Sequence, residues 1–230
     1  MMRALTILVP VLALLAAGPA AAETCAPWVD GATLGLERVL PPPPEPASPE
    51  AEADMKALRA AVAARTPADE ARIESDITYT LDQFAGVLGP AYTAARAPRL
   101  AALVARLYKT SSAAVNAAKH AYQRPRPYTL DPGLRTFGDR SHSTSYPGGH
   151  AAFGTLTATM LAQIVPERRR ALLARAQVYA HARTEAGTHF LTDLEAGRIA
   201  GMILAEVLLR DPGFRCDLAA ATAEVRAAER

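Results

Sequence analysis

Prolines and glycines cut the chain into segments of helical length, and inside each segment the apolar residues recur every three or four positions. No other feature constrains the fold as much, because this rhythm assigns most residues to helices and leaves few for a sheet. The clearest stretch runs from about Pro98 to Tyr122. Leu100, Leu103, Val104, Leu107, Tyr108 and Val115 share one helix face there, and Pro125 and Pro127 end it. Alanine takes roughly a fifth of the positions, aromatics only 6%, and β-branched runs are few, which suits closely packed helices. The expected fold class is all-α, a single compact helical bundle, and a large all-β protein is set aside.

Similar signals place the other helices. Ala, Leu, Arg and Lys recur at helical spacing from about Glu52 to Arg65. Thr66-Pro67-Ala68-Asp69 supplies an N-cap, a proline in the first turn and an early acid, so a second helix is expected from there to about Leu88, where Gly89-Pro90 stops it. Further helices are expected over 150–164, from Pro166 to about Arg183, and from about His189 to Leu209, the last closed by Asp211-Pro212-Gly213. Residues 123–149 are irregular and carry four prolines. A long connection inside a helical domain is uncommon unless it is functional or disordered.

The chain has 230 residues, of which 50% are hydrophobic and 21% charged, enough for one sizeable core. A net charge of +2, evenly spread, offers no footprint for nucleic acid. Met1-Met2-Arg3, the apolar run over 4–17 and Ala20-Ala21-Ala22 read as a secretory signal cleaved after residue 22, because the run contains Pro10 and is too short to span a bilayer. The expected organisation is therefore a signal over 1–22, a proline-rich arm over 23–50 containing Pro41-Pro42-Pro43-Pro44, and a helical domain over 51–230. The arm reads as a spacer or a surface strap. Export to a periplasm or the exterior follows, with no integral span after the signal is removed. Cys25 and Cys216 can pair in such an oxidising compartment, although sequence alone leaves their proximity open.

Three clusters carry chemistry. Lys119, in a last helical turn, and Arg126, just beyond it, can converge on one anion, although both residue types are usually solvated. Ser145-Tyr146-Pro147-Gly148-Gly149-His150 leads into a helix, so backbone N–H groups and a histidine can face a phosphate or another oxyanion. Arg183 precedes His189 and Asp193, which stand four apart at a helix start. The carboxylate can then accept the imidazole N–H and leave the other nitrogen as base or nucleophile.

Read together as Lys119-x6-Arg126-Pro127, Pro147-Gly148-Gly149-His150 and Arg183-x5-His189-x3-Asp193, these clusters resemble the tripartite signature of the type 2 phosphatidic acid phosphatase superfamily. Within it the chain is similar to the class A bacterial non-specific acid phosphatases, given the signal segment, Leu40-Pro41-Pro42-Pro43-Pro44 and Ser145-Tyr146-Pro147. The resemblance implies a helical bundle of the acid phosphatase and vanadium haloperoxidase type, a small phosphomonoester as substrate, no cofactor or metal, and a homo-oligomer. It further implies that His189 attacks phosphorus, Asp193 orients it, and His150 protonates the leaving alcohol and then activates water. Lys119, Arg126, Arg183 and the N–H groups of Gly148 and Gly149 would hold the phosphoryl oxygens. An acid optimum follows if His150 must be protonated while His189 stays neutral.

Two positions depart from the signature: Gly148 and Ala182 stand where it has serine. Losing one hydrogen bond to a charged group costs about 1.5–3 kcal/mol, so weaker activity is expected rather than none. The departures also motivate a phosphate- or oxyanion-binding protein with weak turnover. A vanadium-dependent haloperoxidase and a lipid phosphatase working at a membrane surface are the remaining alternatives.

Overall fold

The computed structural model describes residues 25–228, so the expected signal over 1–22 lies outside the described residues. Among them the regular structure is entirely helical, as expected. The helices are α1 (Pro49–Ala64), α2 (Pro67–Ser75), α3 (Ala85–Leu88), α4 (Pro98–Tyr122), α5 (Pro127–Leu130), α6 (Gly149–Ile164), α7 (Arg169–Glu185), α8 (Leu191–Arg210) and α9 (Pro212–Ala228). None of the described helices is long and apolar enough to cross a membrane.

Local chemistry accounts for the starts. Ser48 caps α1 by accepting from Ala51 N–H at 3.1 Å, with Pro49 next in line. Thr66 and Asp69 form a reciprocal capping box on α2. The helix expected to run on to Leu88 instead stops at Ser75. Asp76 is fully buried and paired with Arg175 of α7, and Gln83 donates to the Ser75 carbonyl at 3.0 Å. A tertiary ion pair thus overrides the helical period, and the chain resumes as a turn over Leu81–Phe84 and then α3. At the other end, Asp211-Pro212-Gly213 is a start as well as a stop. Asp211 accepts from Phe214 N–H at 2.8 Å and opens α9, which the sequence reading lacked. The signals for ending one helix and capping the next coincide in these residues.

Helix α6 is apolar all round and lies among α4, α7 and α8. It can approach α8 closely because Gly197 and Gly201 lack side chains. A β-carbon on Gly197 would stand 2.2 Å from the Gly148 carbonyl oxygen, and one on Gly201 2.6 Å from that of Ala152. This approach fixes the start of α6 against the start of α8, where the chemical residues lie.

The arm ahead of α1 is more than a spacer, since Leu36 and Leu40 are buried in the main core. Trp28 donates to Asp217 at 2.8 Å and meets Phe214 edge-on, and the Tyr122 hydroxyl donates to the carbonyls of Glu37 and Leu40 at 3.0 Å. Cys25 and Cys216 are disulfide-bonded, with Cα atoms 5.7 Å apart, which ties the arm to α9.

Candidate active site

A cavity of about 530 Å³ opens where α4, α6 and α7 meet the segments before α5 and α8. Its lining includes Lys119, Arg126, Gly149, His150, Arg183 and His189, residues up to 70 positions apart in the chain. Asp193 stands behind His189, fully buried. Gly148 is the exception: its N–H donates to the Asp193 carbonyl at 2.8 Å, so it is unavailable to a phosphoryl oxygen. The tight α6–α8 approach explains this, and a β-carbon at Gly148 would stand 3.0 Å from that same carbonyl oxygen. Glycine here serves backbone contact rather than ligand contact. Ala182, the other departure, is fully buried in a small apolar cluster with Ile73 and Ala186.

His189 is held at both nitrogens. Nδ1 donates to Asp193 Oδ2 at 3.2 Å, and Nε2 accepts from Arg126 Nη1 at 2.8 Å. The carboxylate therefore selects the tautomer with its lone pair on Nε2, facing the cavity. Burial, then the neighbouring Arg126 charge, push the imidazole down to about 3, so it stays neutral through the acid range. For Asp193, burial acts upward, but the hydrogen bond from His189, then the charge of Arg124, outweigh it and hold the carboxyl at about 2.

The carboxylate is fully engaged. Oδ2 also accepts from Phe190 N–H at 2.9 Å and from the Ser145 hydroxyl, while Oδ1 accepts from Arg124 Nη1 at 2.7 Å. Arg124 in turn donates to Asp54 of α1 at 2.9 Å and lies over the Phe190 ring at 4.2 Å. A buried chain thus runs Asp54, Arg124, Asp193, His189, Arg126. Sequence reasoning missed Arg124 and Asp54, and it named Ser145 within its motif without the contact to Asp193. Arg124 had a signal in Arg124-Pro125-Arg126-Pro127, whereas nothing local marks Asp54, 70 residues away.

The cations are buried with few anionic partners. Arg126 donates from Nε to Ser143 O at 2.8 Å and from Nη1 to Thr188 O at 2.9 Å. Arg183 donates from Nη2 to Ile73 O at 2.8 Å, and its buried Nε has no hydrogen-bond partner, a donor left for a ligand. Lys119 Nζ donates to the carbonyls of Thr144 and Ser145, and burial, then Arg126, bring it down to about 7. An anion reverses that shift, so binding takes up a proton above pH 7 and affinity falls as pH rises. Inorganic phosphate is expected to inhibit or bind more than about tenfold more weakly at pH 9 than at pH 6.5, and a Lys119→Arg variant should flatten that dependence. Isothermal calorimetry checks it, and an unchanged affinity across that range would contradict the assignment.

A helical bundle that gathers buried cations and a carboxylate-held imidazole around one cavity defines a phosphoryl-handling class of protein. The chain belongs to the PAP2 superfamily, whose family profile matches residues 100–215 and so covers all three clusters. An acid phosphatase of Zymomonas mobilis subsp. mobilis is 31% identical over 152 residues, which is 64% of this chain and 58% of that protein. A non-specific acid phosphatase of Salmonella typhimurium is 28% identical over 219 residues, covering 90% of this chain and 87% of the relative. Another, from Salmonella typhi, is 29% identical over 190 residues, covering 78% and 76%.

Proposed function

We propose that the chain is an exported acid phosphatase that hydrolyses small phosphate monoesters through a phosphohistidine on His189, without a metal. One observation carries the reading: His189 is fixed by Asp193 at Nδ1, and its Nε2, which accepts from Arg126, lies at a cavity lined by Lys119, Arg126 and Arg183. Phosphoryl transfer asks the protein chiefly for positioning and charge stabilisation, which three cations and the first-turn N–H groups of α6 beginning at Gly149 can supply. As Arg126 passes its Nη1 hydrogen bond from Nε2 to a phosphoryl oxygen, Nε2 of His189 attacks phosphorus, and the bond to the leaving oxygen breaks with its electron pair on that oxygen, which takes a proton from His150. His150 then removes a proton from water as the water oxygen attacks phosphorus, and the P–N bond returns its electron pair to His189. The apolar run over 4–17 and the disulfide, a bond typical of oxidising compartments, support export.

Burial, then the charge of Arg183, push His150 well below its usual 6.5. Its acid form therefore gains population as pH falls, while His189 stays neutral down to about 3. Turnover of an alkyl phosphate, whose leaving oxygen needs a proton, is expected to be highest at acid pH, to decline as pH rises towards 8, and to persist in EDTA. Absence of turnover in a folded chain that still binds phosphate would replace this reading with the oxyanion-binding one.

A further inference from the structure

Both ring nitrogens of His150 face one short loop, residues 76–80 between α2 and the 81–84 turn. The Tyr79 hydroxyl lies 2.7 Å from Nδ1, and the Ile77 carbonyl oxygen lies 3.3 Å from Nε2. A carbonyl only accepts, so in the neutral ring Nε2 carries the hydrogen and Tyr79 donates to Nδ1.

Packing places the phenol firmly. The Tyr79 ring stacks on Tyr108 of α4 at 4.5 Å, meets Phe153 edge-on at 5.4 Å and lies 4.3 Å from the His150 ring. The loop is tied as well: Arg175 pairs with Asp76, the Tyr179 hydroxyl donates to Thr78 O at 2.6 Å, and Gln83 donates to the Thr78 hydroxyl at 2.7 Å.

The two histidines of the cavity thus differ in what holds Nδ1. His189 has a carboxylate, which favours a protonated ring; His150 has a neutral phenol, which donates to the uncharged ring and is a weak acceptor for the charged one. The titratable and charged groups around His150 are Arg183 and Tyr179 from α7, Arg126 ahead of α5, His189 ahead of α8, and Tyr79.

We propose that Tyr79 is a positioning residue for the acid–base step: its hydroxyl engages Nδ1 of His150, which leaves Nε2 as the nitrogen that exchanges protons with the leaving oxygen and with water. The inference rests on the phosphohistidine reading above. During the cycle Nδ1–H of the imidazolium donates to the Tyr79 oxygen, and Nε2 gives its proton to the leaving oxygen and later takes one from water. The hydroxyl can fill both roles because it donates and accepts.

The test is Tyr79→Phe, which keeps the ring stack and removes the hydroxyl. The parameter kcat/KM reports only the steps up to phosphoryl transfer. p-Nitrophenolate leaves without a proton, whereas an alkoxide needs one. The variant is expected to lose about tenfold or more in kcat/KM with an alkyl phosphate and less than about threefold with p-nitrophenyl phosphate, with the alkaline limb of the profile moved to higher pH. An equal loss with both esters and an unmoved limb would mark a merely structural residue and overturn the proposal. Should the variant fail to fold, ring-15N spectra of the wild-type chain decide. An Nδ1 of His150 that resonates as a hydrogen-bonded nitrogen supports the proposal, and one free of any hydrogen bond overturns it. Wild-type protein that turns over neither ester, or a His189→Ala variant that keeps turnover, would instead overturn the phosphohistidine reading before Tyr79 is altered.

Discussion

Replacing His189 by alanine is expected to lower phosphomonoester turnover by at least about 10⁴-fold, because on the proposed phosphohistidine reading the variant loses the attacking nitrogen while the three cations remain. Phosphate affinity should stay within about tenfold of wild type, since on the same reading Lys119, Arg126 and Arg183 hold the anion. The covalent step is read directly by incubating each protein with ³²P-labelled ester and denaturing it in alkali, where a phosphohistidine survives. Label on the wild type and none on the variant is the expected pair of results. Residual turnover within tenfold of wild type would place the nucleophile elsewhere.

The next largest effect is expected from Arg124→Met. Asp54 and Asp193 are almost wholly inaccessible to solvent, and Arg124 donates to both. Removing one member of a buried ionic network leaves the others uncompensated, at a cost of about 3–5 kcal/mol. The sign of its pH dependence follows from Asp193, whose carboxyl is held at about 2 against an ordinary 3.8. That contribution is complete above the ordinary value and is lost as pH falls through the folded one. Urea unfolding should therefore show the wild-type advantage at pH 7 and a smaller advantage below pH 4. Loss of activity should accompany it, because Asp193 sets the tautomer of His189. A difference below about 1 kcal/mol at pH 7 would mean that water or repacking compensates the carboxylates.

Much of the fold was legible in short stretches. The 25-residue α4 emerged with the bounds its periodicity suggests, because its buried residues Leu100, Leu103, Val104, Leu107 and Val115 recur on one face. The failures came where distant partners decide. Asp76 ends α2 because Arg175 reaches it from α7, and no residue between 66 and 88 announces that pairing. Helix α9 was missed for a local reason, since one Asp-Pro-Gly both ends a helix and caps the next.

The candidate site divides in the same way. Residue types at fixed spacing on helix ends were enough to nominate Lys119, Arg126, Gly149, His150, Arg183, His189 and Asp193, because spacing within one turn already sets which side chains share a face. His189 and Asp193 are such a pair, and their contact was predictable from the four-residue interval.

Only the tertiary structure could assign Gly148 to backbone contact with Asp193, Arg124 and Asp54 to the support of that carboxylate, and Tyr79 to Nδ1 of His150. Each of these contacts joins residues at least 45 positions apart in the chain. Local periodicity determines what a segment becomes and which side chains it offers. The closeness of α6 to α8, made possible by Gly197 and Gly201, and the tying of the 76–80 loop to α7 determine which of those side chains meet.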